Sequence, residues 1–189
     1  MLLFMYYWGM AIIGSNLIQI AISALLYALL FGINELLFSN LSFSDGVSWI
    51  FLPAGFRLVL TLLLGLNGAI GISLSSILLG VFFFFSNDLL NAILAGTLGG
   101  LAPFIALKLV FKNMALDQDL FHLDGGKLLN CIFIYALISS FLHQILFYMT
   151  GYTEHFIETL GVMLIGDLLG TFAIIYLVKL LIKLAKLKN

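Results

Sequence analysis

Long apolar stretches separated by short polar breaks dominate the chain. The breaks fall at Ser39–Ser48, Leu66–Asn67, Ser86–Asp88, Asn113–Lys127 and Gly151–His155. A helix needs about 20 apolar residues to cross a hydrocarbon core of roughly 30 Å. The breaks therefore predict six membrane spans, at about residues 15–38, 49–65, 68–85, 89–112, 128–150 and 157–178.

Two regions of this pattern predict something other than a simple span. The second and third spans are short and are joined only by Gly65–Gly68, which predicts a tight antiparallel hairpin. Residues 1–14 are apolar and carry Tyr6, Tyr7 and Trp8, so we expect a segment that lies at the membrane interface. A cleaved signal peptide is the alternative, but the chain begins without a basic region.

The composition supports a membrane protein and excludes several other classes. The chain is 63% hydrophobic and 9% charged, with a net charge of −1. Soluble domains are about 25% charged, and disordered or nucleic-acid-binding chains need polar or basic composition. We therefore predict an all-α, polytopic membrane helix bundle that forms one domain over residues 1–189.

No sequence motif predicts a chemical reaction. The one cysteine, Cys131, excludes an intramolecular disulfide, and no nucleotide-binding, nucleophile or metal-ligand pattern is present. We therefore expect no enzymatic activity, no cofactor, no metal ion and no nucleic-acid partner.

Lysines indicate how the spans are oriented. The lysines that flank spans are Lys108, Lys112, Lys127, Lys179, Lys183, Lys186 and Lys188, and six spans place all of them on one side. The opposite loops carry Asp45, Asp88 and Glu154 and no Lys or Arg. Positively charged loops stay in the cytoplasm, which predicts that both termini are cytoplasmic and that residues 15–178 form the bundle. Residues 179–189 would then be a basic tail that anchors the last helix or, alternatively, docks a cytoplasmic partner.

Two charged residues lie in the middle of predicted spans. Arg57 is near the centre of the second span and Asp167 near the centre of the sixth. A charge at the bilayer centre costs roughly 2.5–3.5 kcal/mol on insertion scales. We expect the two side chains to pair inside the bundle, directly or through one water. The pair either fixes helix register or lines a ligand site, and the sequence favours neither.

A second group of polar residues is expected at one depth, in the outer half of the membrane. Its members are Asn91, Thr97, His143, Gln144 and Glu158. Each of them alone is typical of an interhelical hydrogen bond. Together with Arg57 and Asp167 they are candidates for lining a polar cavity that opens outward, with any ligand beside His143.

Small residues recur every four positions on two spans. They are Ala92, Gly96 and Gly100 on the fourth span, and Gly166 and Gly170 on the sixth. Such faces allow helix backbones to approach closely. We expect them to pack within one bundle rather than to form a homodimer seam.

Three stretches resemble the bacterial membrane-associated sensor domain family, first type. They are Ser48–Gly55, then Ala95–Leu98 followed by Lys108 and Lys112, and finally Ile165–Gly170, in the order and spacing of the family's motifs. The resemblance implies a bacterial cytoplasmic (inner) membrane protein that senses a signal. The family is usually fused to histidine kinase or diguanylate cyclase modules. Fewer spans are predicted here than in that family and no output domain is expected, so any signal would pass to a separate protein.

Three functions are therefore carried forward. The leading interpretation is a non-enzymatic sensory or ligand-binding module that acts through a membrane or cytoplasmic protein partner. The second is the substrate-binding subunit of a small-molecule (vitamin-type) uptake transporter. The third is an accessory subunit that stabilises a larger membrane complex.

Overall fold

A computed structural model describes residues 15–114 and 125–187, and this part of the chain is almost entirely helical. Its helices are α1 (Asn16–Phe38), α2 (Leu52–Leu79), α3 (Leu89–Met114), α4 (Gly125–Met149) and α5 (Phe156–Leu187). All five are long and apolar enough to cross a membrane. The all-α class predicted from the sequence is confirmed, and the five apolar helices are compatible with the predicted integral membrane protein.

Short elements complete the described fold. Between α1 and α2 lie a 3₁₀ turn, Ser39–Leu41, and an antiparallel pair of strands, β1 (Ser42–Ser44) and β2 (Val47–Ser48). A π-helical turn, Gly80–Phe84, extends α2. Helix α2 begins with Pro53 in its first turn, where the missing amide hydrogen costs no helical hydrogen bond.

The number of helices differs from the prediction of six. The predicted second and third spans lie in one helical element, α2 with its π-helical turn, so five long helices are present in the described residues. The difference arises at Gly65, where the helix is interrupted by a single residue with φ 58° and ψ −131°. This conformation is open to glycine and strained for other residues.

The interruption at Gly65 bends α2 back on itself. Leu60 and Ile72, on opposite sides of Gly65, belong to one buried cluster with Tyr27. Residues twelve positions apart in a straight helix would be separated by roughly 18 Å. The first arm of α2 (52–64) therefore packs against the second arm (66–79), with Gly68 beside the carbonyl of Leu60.

Helix ends also depart from the predicted breaks. The segment between α3 and α4 is shorter than the predicted break at Asn113–Lys127, because α3 continues to Met114 and α4 begins at Gly125. Residues 115–124 lie outside the described part, as does the predicted interfacial segment, residues 1–14. Helix α5 continues to Leu187, so the basic tail extends the last helix through most of its length.

Helix α2 lies at the centre of the bundle. It packs against α1, α3 and α5, while α4 packs between α3 and α5. Two apolar clusters fill the two ends of the interior. The lysine-end cluster consists of Ala54, Leu58, Ala106, Leu107, Val110, Cys131, Ile132 and Tyr135. The hairpin-end cluster consists of Val47, Phe85, Ala92, Ala95, Phe147, Val162 and Met163.

The β1–β2 hairpin closes one end of the bundle. Its turn contains Gly46 at φ 74°, which rests against the rings of Phe85 and Phe147. Val47 is 1% exposed and belongs to the hairpin-end cluster. The strands are held by the hydrogen bond from the Trp49 amide to the Leu41 carbonyl in addition to their own ladder. The β1–β2 turn therefore covers the interior at this end of the bundle.

The small residues singled out in the sequence lie at helix contacts within the chain. Gly96 and Gly100 of α3 face the backbone of α2 at Ile77 and Ala69, and Ala92 lies against Gly80. In α5, Gly166 and Gly170 face the backbone carbonyls of Ser48 and Phe51, and the Phe51 amide donates to the Gly166 carbonyl at 3.2 Å. These contacts bring α3 against the second arm of α2 and α5 against the residues that precede the first arm.

Candidate functional site

Polar side chains occupy the interior between the two apolar clusters. Tyr135, Ser139 and His143 follow one another at four-residue intervals along α4, so they share one face of that helix. Asp167 and Thr171 do the same on α5. All five are buried, with between 0% and 4% of each residue exposed. Two helices thus present polar stripes to the centre of a bundle whose outer surface is apolar.

Arg57, on the first arm of α2, extends into this interior. Its Nε and Nη2 donate hydrogen bonds to the Tyr27 hydroxyl, at 3.0 and 2.7 Å. The guanidinium carbon lies 5.3 Å from the centre of the Tyr27 ring and 5.2 Å from that of Phe51. A cation over aromatic rings is favoured electrostatically, more so where water is excluded. Arg57 is therefore held by α1 and by the residue that precedes α2.

The direct ion pair expected between Arg57 and Asp167 is not formed. In the described residues no carboxylate oxygen lies within 4.0 Å of the guanidinium, although the two groups interact electrostatically. The reason is the position of Tyr27 and Phe51, which orient the guanidinium fork toward α1. The water-mediated contact stays a prediction. Asp167 is 1% exposed and lies beside Ser139 and Tyr135.

Ten buried side-chain polar atoms have no hydrogen-bond partner within the described residues. Within residues 15–114 and 125–187 they are Arg57 Nη1, Thr61 Oγ1, Ser76 Oγ, Asn91 Oδ1, Tyr135 OH, Ser139 Oγ, Ser140 Oγ, both carboxylate oxygens of Asp167, and Thr171 Oγ1. Native proteins leave few such atoms, and each costs about 1–3 kcal/mol when nothing satisfies it. Ser139 lies within hydrogen-bonding reach of Asp167 and Tyr135, and water or another polar molecule inside the bundle would satisfy the atoms that remain. We call the buried polar residues around Arg57 and Asp167, together with these two, the polar core; the others are Tyr27, Ser76, Tyr135, Ser139, His143 and Thr171.

A cavity of about 50 Å³ lies between Arg57 and the β1–β2 hairpin. Its polar side is formed by Arg57, Ser76 and His143. Its apolar lining consists of Phe31, Phe51, Leu79, Phe84, Phe85, Ala95, Phe147 and Met163, with Tyr27 and three glycines completing the wall. The cavity reaches the hairpin at Gly46, so it lies toward the end of the bundle that the lysines leave free.

His143 is the residue of the predicted outer polar group that joins Arg57. It is 4% exposed, and its Nδ1 donates to the Ser139 carbonyl at 2.8 Å, which fixes the ring within α4. Its ring lies 6.2 Å from that of Phe147 in an edge-on arrangement. The side chain therefore lines the cavity at the level where polar and aromatic walls meet.

The other members of that group are placed elsewhere. Asn91 donates to Asp88 through its backbone amide and its side chain, at 3.0 and 2.7 Å, and so helps to start α3. These bonds hold the pKa of Asp88 below its ordinary value of 3.8. Thr97 donates to the Ile93 carbonyl within its own helix, and Glu158 is exposed in the first turn of α5. These three residues do not line the cavity.

Gln144 belongs to a second cavity, of about 140 Å³, beneath the loop that joins α4 to α5. Its Oε1 accepts from Thr159 at 2.7 Å, and its Nε2 donates to the Met163 sulfur at 3.4 Å. Asp45 and Tyr152 also line this space. Partial burial and the carboxylates of Asp45 and Asp88 raise the pKa of the Tyr152 hydroxyl. The hairpin end of the bundle is thus acidic at its rim.

The sequence did not predict several residues of the polar core. Tyr27, Tyr135 and Ser139 are not among the site residues predicted from the sequence. Spacing could have indicated part of the set, because Tyr135 and Ser139 precede His143 at helical intervals on one face. Tyr27 carries no such signal, since its role depends on how α1 packs against α2.

Comparisons with known proteins leave the family open. No protein-family model, no curated protein and no solved structure matches the chain. The resemblance to a sensor domain family therefore remains a prediction. In the described residues, no group of three or more His, Cys, Asp or Glu side chains is placed to hold a metal ion.

Proposed function

We propose that this chain is a ligand-binding module of the membrane, in which the polar core holds a small polar molecule. The observation that carries the proposal is the set of buried polar atoms without partners around Arg57 and Asp167, next to a cavity. Ionisable groups inside a membrane domain are costly, and they typically mark a binding or transport site.

A purely structural role for these charges is less well supported. A buried ion pair that only joins helices needs direct contact, because desolvation of both charges is otherwise uncompensated. Here Arg57 is bonded to Tyr27, and in the described residues Asp167 has no cation in direct contact, with Ser139 as its polar neighbour. The arrangement fits a site that is completed by a bound molecule and by water.

We further propose that the two arms of α2 cross the membrane separately, which restores six crossings and places both termini in the cytoplasm. Asn67, next to the bend, donates to Asn16 and Gln19 near the beginning of α1, at 3.1 and 2.7 Å. The amide of Leu52 donates to Asn34 near the end of α1, at 2.9 Å. The first arm therefore runs along most of the length of α1. The second arm follows α1 back, with Gly71 against Ile20 and the Phe84 ring edge-on to that of Phe31.

Labelling of single cysteines tests this topology. In a Cys131→Ser background, Asp45→Cys and Glu154→Cys should react with a membrane-impermeant reagent only from outside the cell. Lys127→Cys should react only after the cytoplasmic face is opened. Labelling of Asp45→Cys and Lys127→Cys from the same side would contradict six crossings.

Retention of a small molecule tests the binding function itself. The protein, isolated gently from its native membrane, should release a small polar compound on denaturation that is detected by mass spectrometry. Arg57→Gln should release much less of it. Lys179→Gln removes one positive charge from an exposed position and should retain the compound. Equal amounts from all three proteins would contradict a site at Arg57.

The output of the module is proposed to pass through a separate protein, as expected for a sensor without enzymatic activity of its own. Co-purification after mild crosslinking distinguishes the alternatives. A kinase or a cyclase would support signalling. An ATPase-driven coupling module would instead indicate the uptake subunit, and a large complex with no free pool would indicate an accessory subunit.

A further inference from the structure

The cavity beside Arg57 has a polar side and an apolar side. On the polar side, Arg57 Nη1 and Ser76 Oγ have no partner within the described chain, and both residues are more than nine-tenths buried. On the apolar side, the rings of Phe85 and Phe147 and the side chain of Met163 form the wall. A molecule that satisfies both sides carries a hydrogen-bond acceptor at one end and hydrocarbon at the other.

The free hydrogen-bonding groups beside Arg57 favour an anionic acceptor. Arginine presents a planar fork that matches the two oxygens of a carboxylate, and such charge-assisted bonds are stronger than neutral ones. The residues that line the cavity include no carboxylate, and Asp167 is not among them. The positive charge of Arg57 is therefore open to an anion from this side.

We propose that this cavity binds a short monocarboxylate of about the size of acetate, and that one proton is taken up with it. The inference rests on the proposed binding function and specifies its ligand. The carboxylate accepts from Arg57 and Ser76, while its hydrocarbon end contacts Phe85 and Phe147.

The size of the cavity sets the length of the ligand. A space of about 50 Å³ accommodates a few water-sized groups, since one such group needs roughly 10–15 Å³ by this measure. Acetate has four non-hydrogen atoms and fits this limit. A dicarboxylate or a long acyl chain exceeds it.

Charge balance provides the reason for the proton. With Arg57 and Asp167 both ionised, the polar core is neutral, and an added anion would leave one uncompensated negative charge in a low-dielectric interior. Protonation of Asp167 removes that charge, so the anion takes over the role of counterion to Arg57. One anion and one proton enter together, and the net charge inside the bundle is unchanged.

The acidic rim of the hairpin end is consistent with this balance. Asp45 and Asp88 lie on that side and both act on Tyr152 electrostatically. They repel a free anion, whereas a weak acid that arrives in its neutral form is not repelled. A carboxylic acid carries the required proton with it.

Other titratable groups lie near Asp167, and the experiment has to show which of them takes up the proton. From α2 it faces Arg57, from α4 it faces Tyr135, and Arg57 in turn interacts with Tyr27 and His143. Of these side chains, His143 is an imidazole that lines the cavity, so proton uptake there has to be distinguished from proton uptake by Asp167. The experiment therefore compares variants of Asp167 and His143.

The first experiment measures binding of acetate to the full chain in lipid nanodiscs, by the shift of the thermal unfolding midpoint and by calorimetry. Acetamide, a neutral molecule of the same shape, is the control, and sodium chloride keeps the ionic strength constant. We expect acetate to stabilise the protein and acetamide to have at least tenfold weaker binding. Arg57→Gln should abolish the acetate effect, and Lys179→Gln should leave it unchanged.

Two milder variants keep the test valid if Arg57→Gln does not fold. Ser76→Ala removes a hydroxyl that has no partner in the chain and should weaken acetate binding severalfold. Gly99→Ala would place a methyl group 2.9 Å from Ser76 Oγ and 3.4 Å from Arg57 Nη2, and should also weaken binding. Unchanged affinity in both variants would overturn this site.

The second experiment tests the proton. Between about pH 6 and 8, where acetate is almost fully ionised, affinity for acetate should rise by up to about tenfold for each unit that the pH falls. Asp167→Asn should bind acetate more tightly at the upper end of this range and lose the pH dependence. His143→Gln should keep the pH dependence.

The outcomes separate this inference from the proposed function. Equal binding of acetate and acetamide would overturn the monocarboxylate and leave a ligand-binding module intact. A pH dependence that follows His143 rather than Asp167 would overturn the coupled proton. A wild-type protein that binds neither molecule and also releases no compound from its native membrane would overturn both proposals.

Discussion

Two regions of the interior, a seam of small residues and the polar core, differ in how closely their helices pack and in how well their polar atoms are satisfied. At the small-residue seam, Gly96 and Gly100 of α3 lie against the backbone of α2 at Ile77 and Ala69, with no room for a Cβ. In the polar core, large side chains from α2, α4 and α5 converge and leave hydrogen-bonding atoms without partners. Close packing at the seam stabilises the bundle, and this stability offsets the cost of burying polar atoms in the polar core.

The close backbone contacts of the seam contribute more to helix association than the polar core does. Association of helices in lipid depends on close van der Waals packing, and a single interhelical hydrogen bond contributes only about 0.6 kcal/mol on average. The contacts of Gly166 and Gly170 with the residues before α2 fix α5 independently of Asp167.

The largest effect is expected at the seam. Gly100→Ala would direct a methyl group into the Ala69 carbonyl and Ser73, so α3 must move away from α2, at a cost of about 3 kcal/mol. Gly32→Ala on α1 is the matched control, because nothing lies within 4 Å of its Cβ position. Unfolding of the two variants in mixed micelles measures the difference, and equal stability would show that the seam is not close-packed.

A smaller effect is expected from the hydroxyl that holds Arg57. Tyr27→Phe removes both hydrogen bonds to the guanidinium and keeps the ring beneath it, so we expect a loss of about 1–2 kcal/mol. Tyr176→Phe, at a position that is 71% exposed, should change stability little. A Tyr27→Phe protein as stable as the wild type would place the support of Arg57 elsewhere.

A double-mutant cycle measures how strongly the two intramembrane charges are coupled. Arg57→Ala and Asp167→Ala should each destabilise the bundle, and the double variant should be less destabilised than their sum by about 1 kcal/mol. The coupling is modest because the groups interact without direct contact. A coupling of several kcal/mol would indicate a closed ion pair, and strict additivity would remove the electrostatic link.

The smallest effect is expected at the start of α3. Because hydrogen bonds from Asn91 lower the pKa of Asp88, the ionised carboxylate stabilises the fold above its ordinary pKa of 3.8. That contribution is lost as the pH falls through the lowered value. Asp88→Asn should have nearly wild-type stability at neutral pH and show less acid sensitivity in unfolding measured between about pH 3 and 6. Identical acid profiles would contradict the role of Asp88.

Much of this molecule follows from the sequence alone. Apolar stretches of membrane length fix the class and the approximate helix positions, because a hydrocarbon core requires a continuous apolar surface and internally satisfied backbone. The depth of Arg57 and Asp167 follows from counting residues along those stretches. The four-residue spacing of Gly96 and Gly100 indicates a close helix contact, since that spacing places both on one face.

The tertiary structure decides what the sequence leaves open, and the reason is that a helix face has no partner until the helices are packed. The Tyr27 hydroxyl binds Arg57 only because α1 lies along α2, and this contact turns the guanidinium away from a direct bond with Asp167. The bend at Gly65 places Ser76 near Arg57, nineteen positions away in the chain. A cavity is likewise a property of several helices at once, so no single periodicity along the chain encodes it.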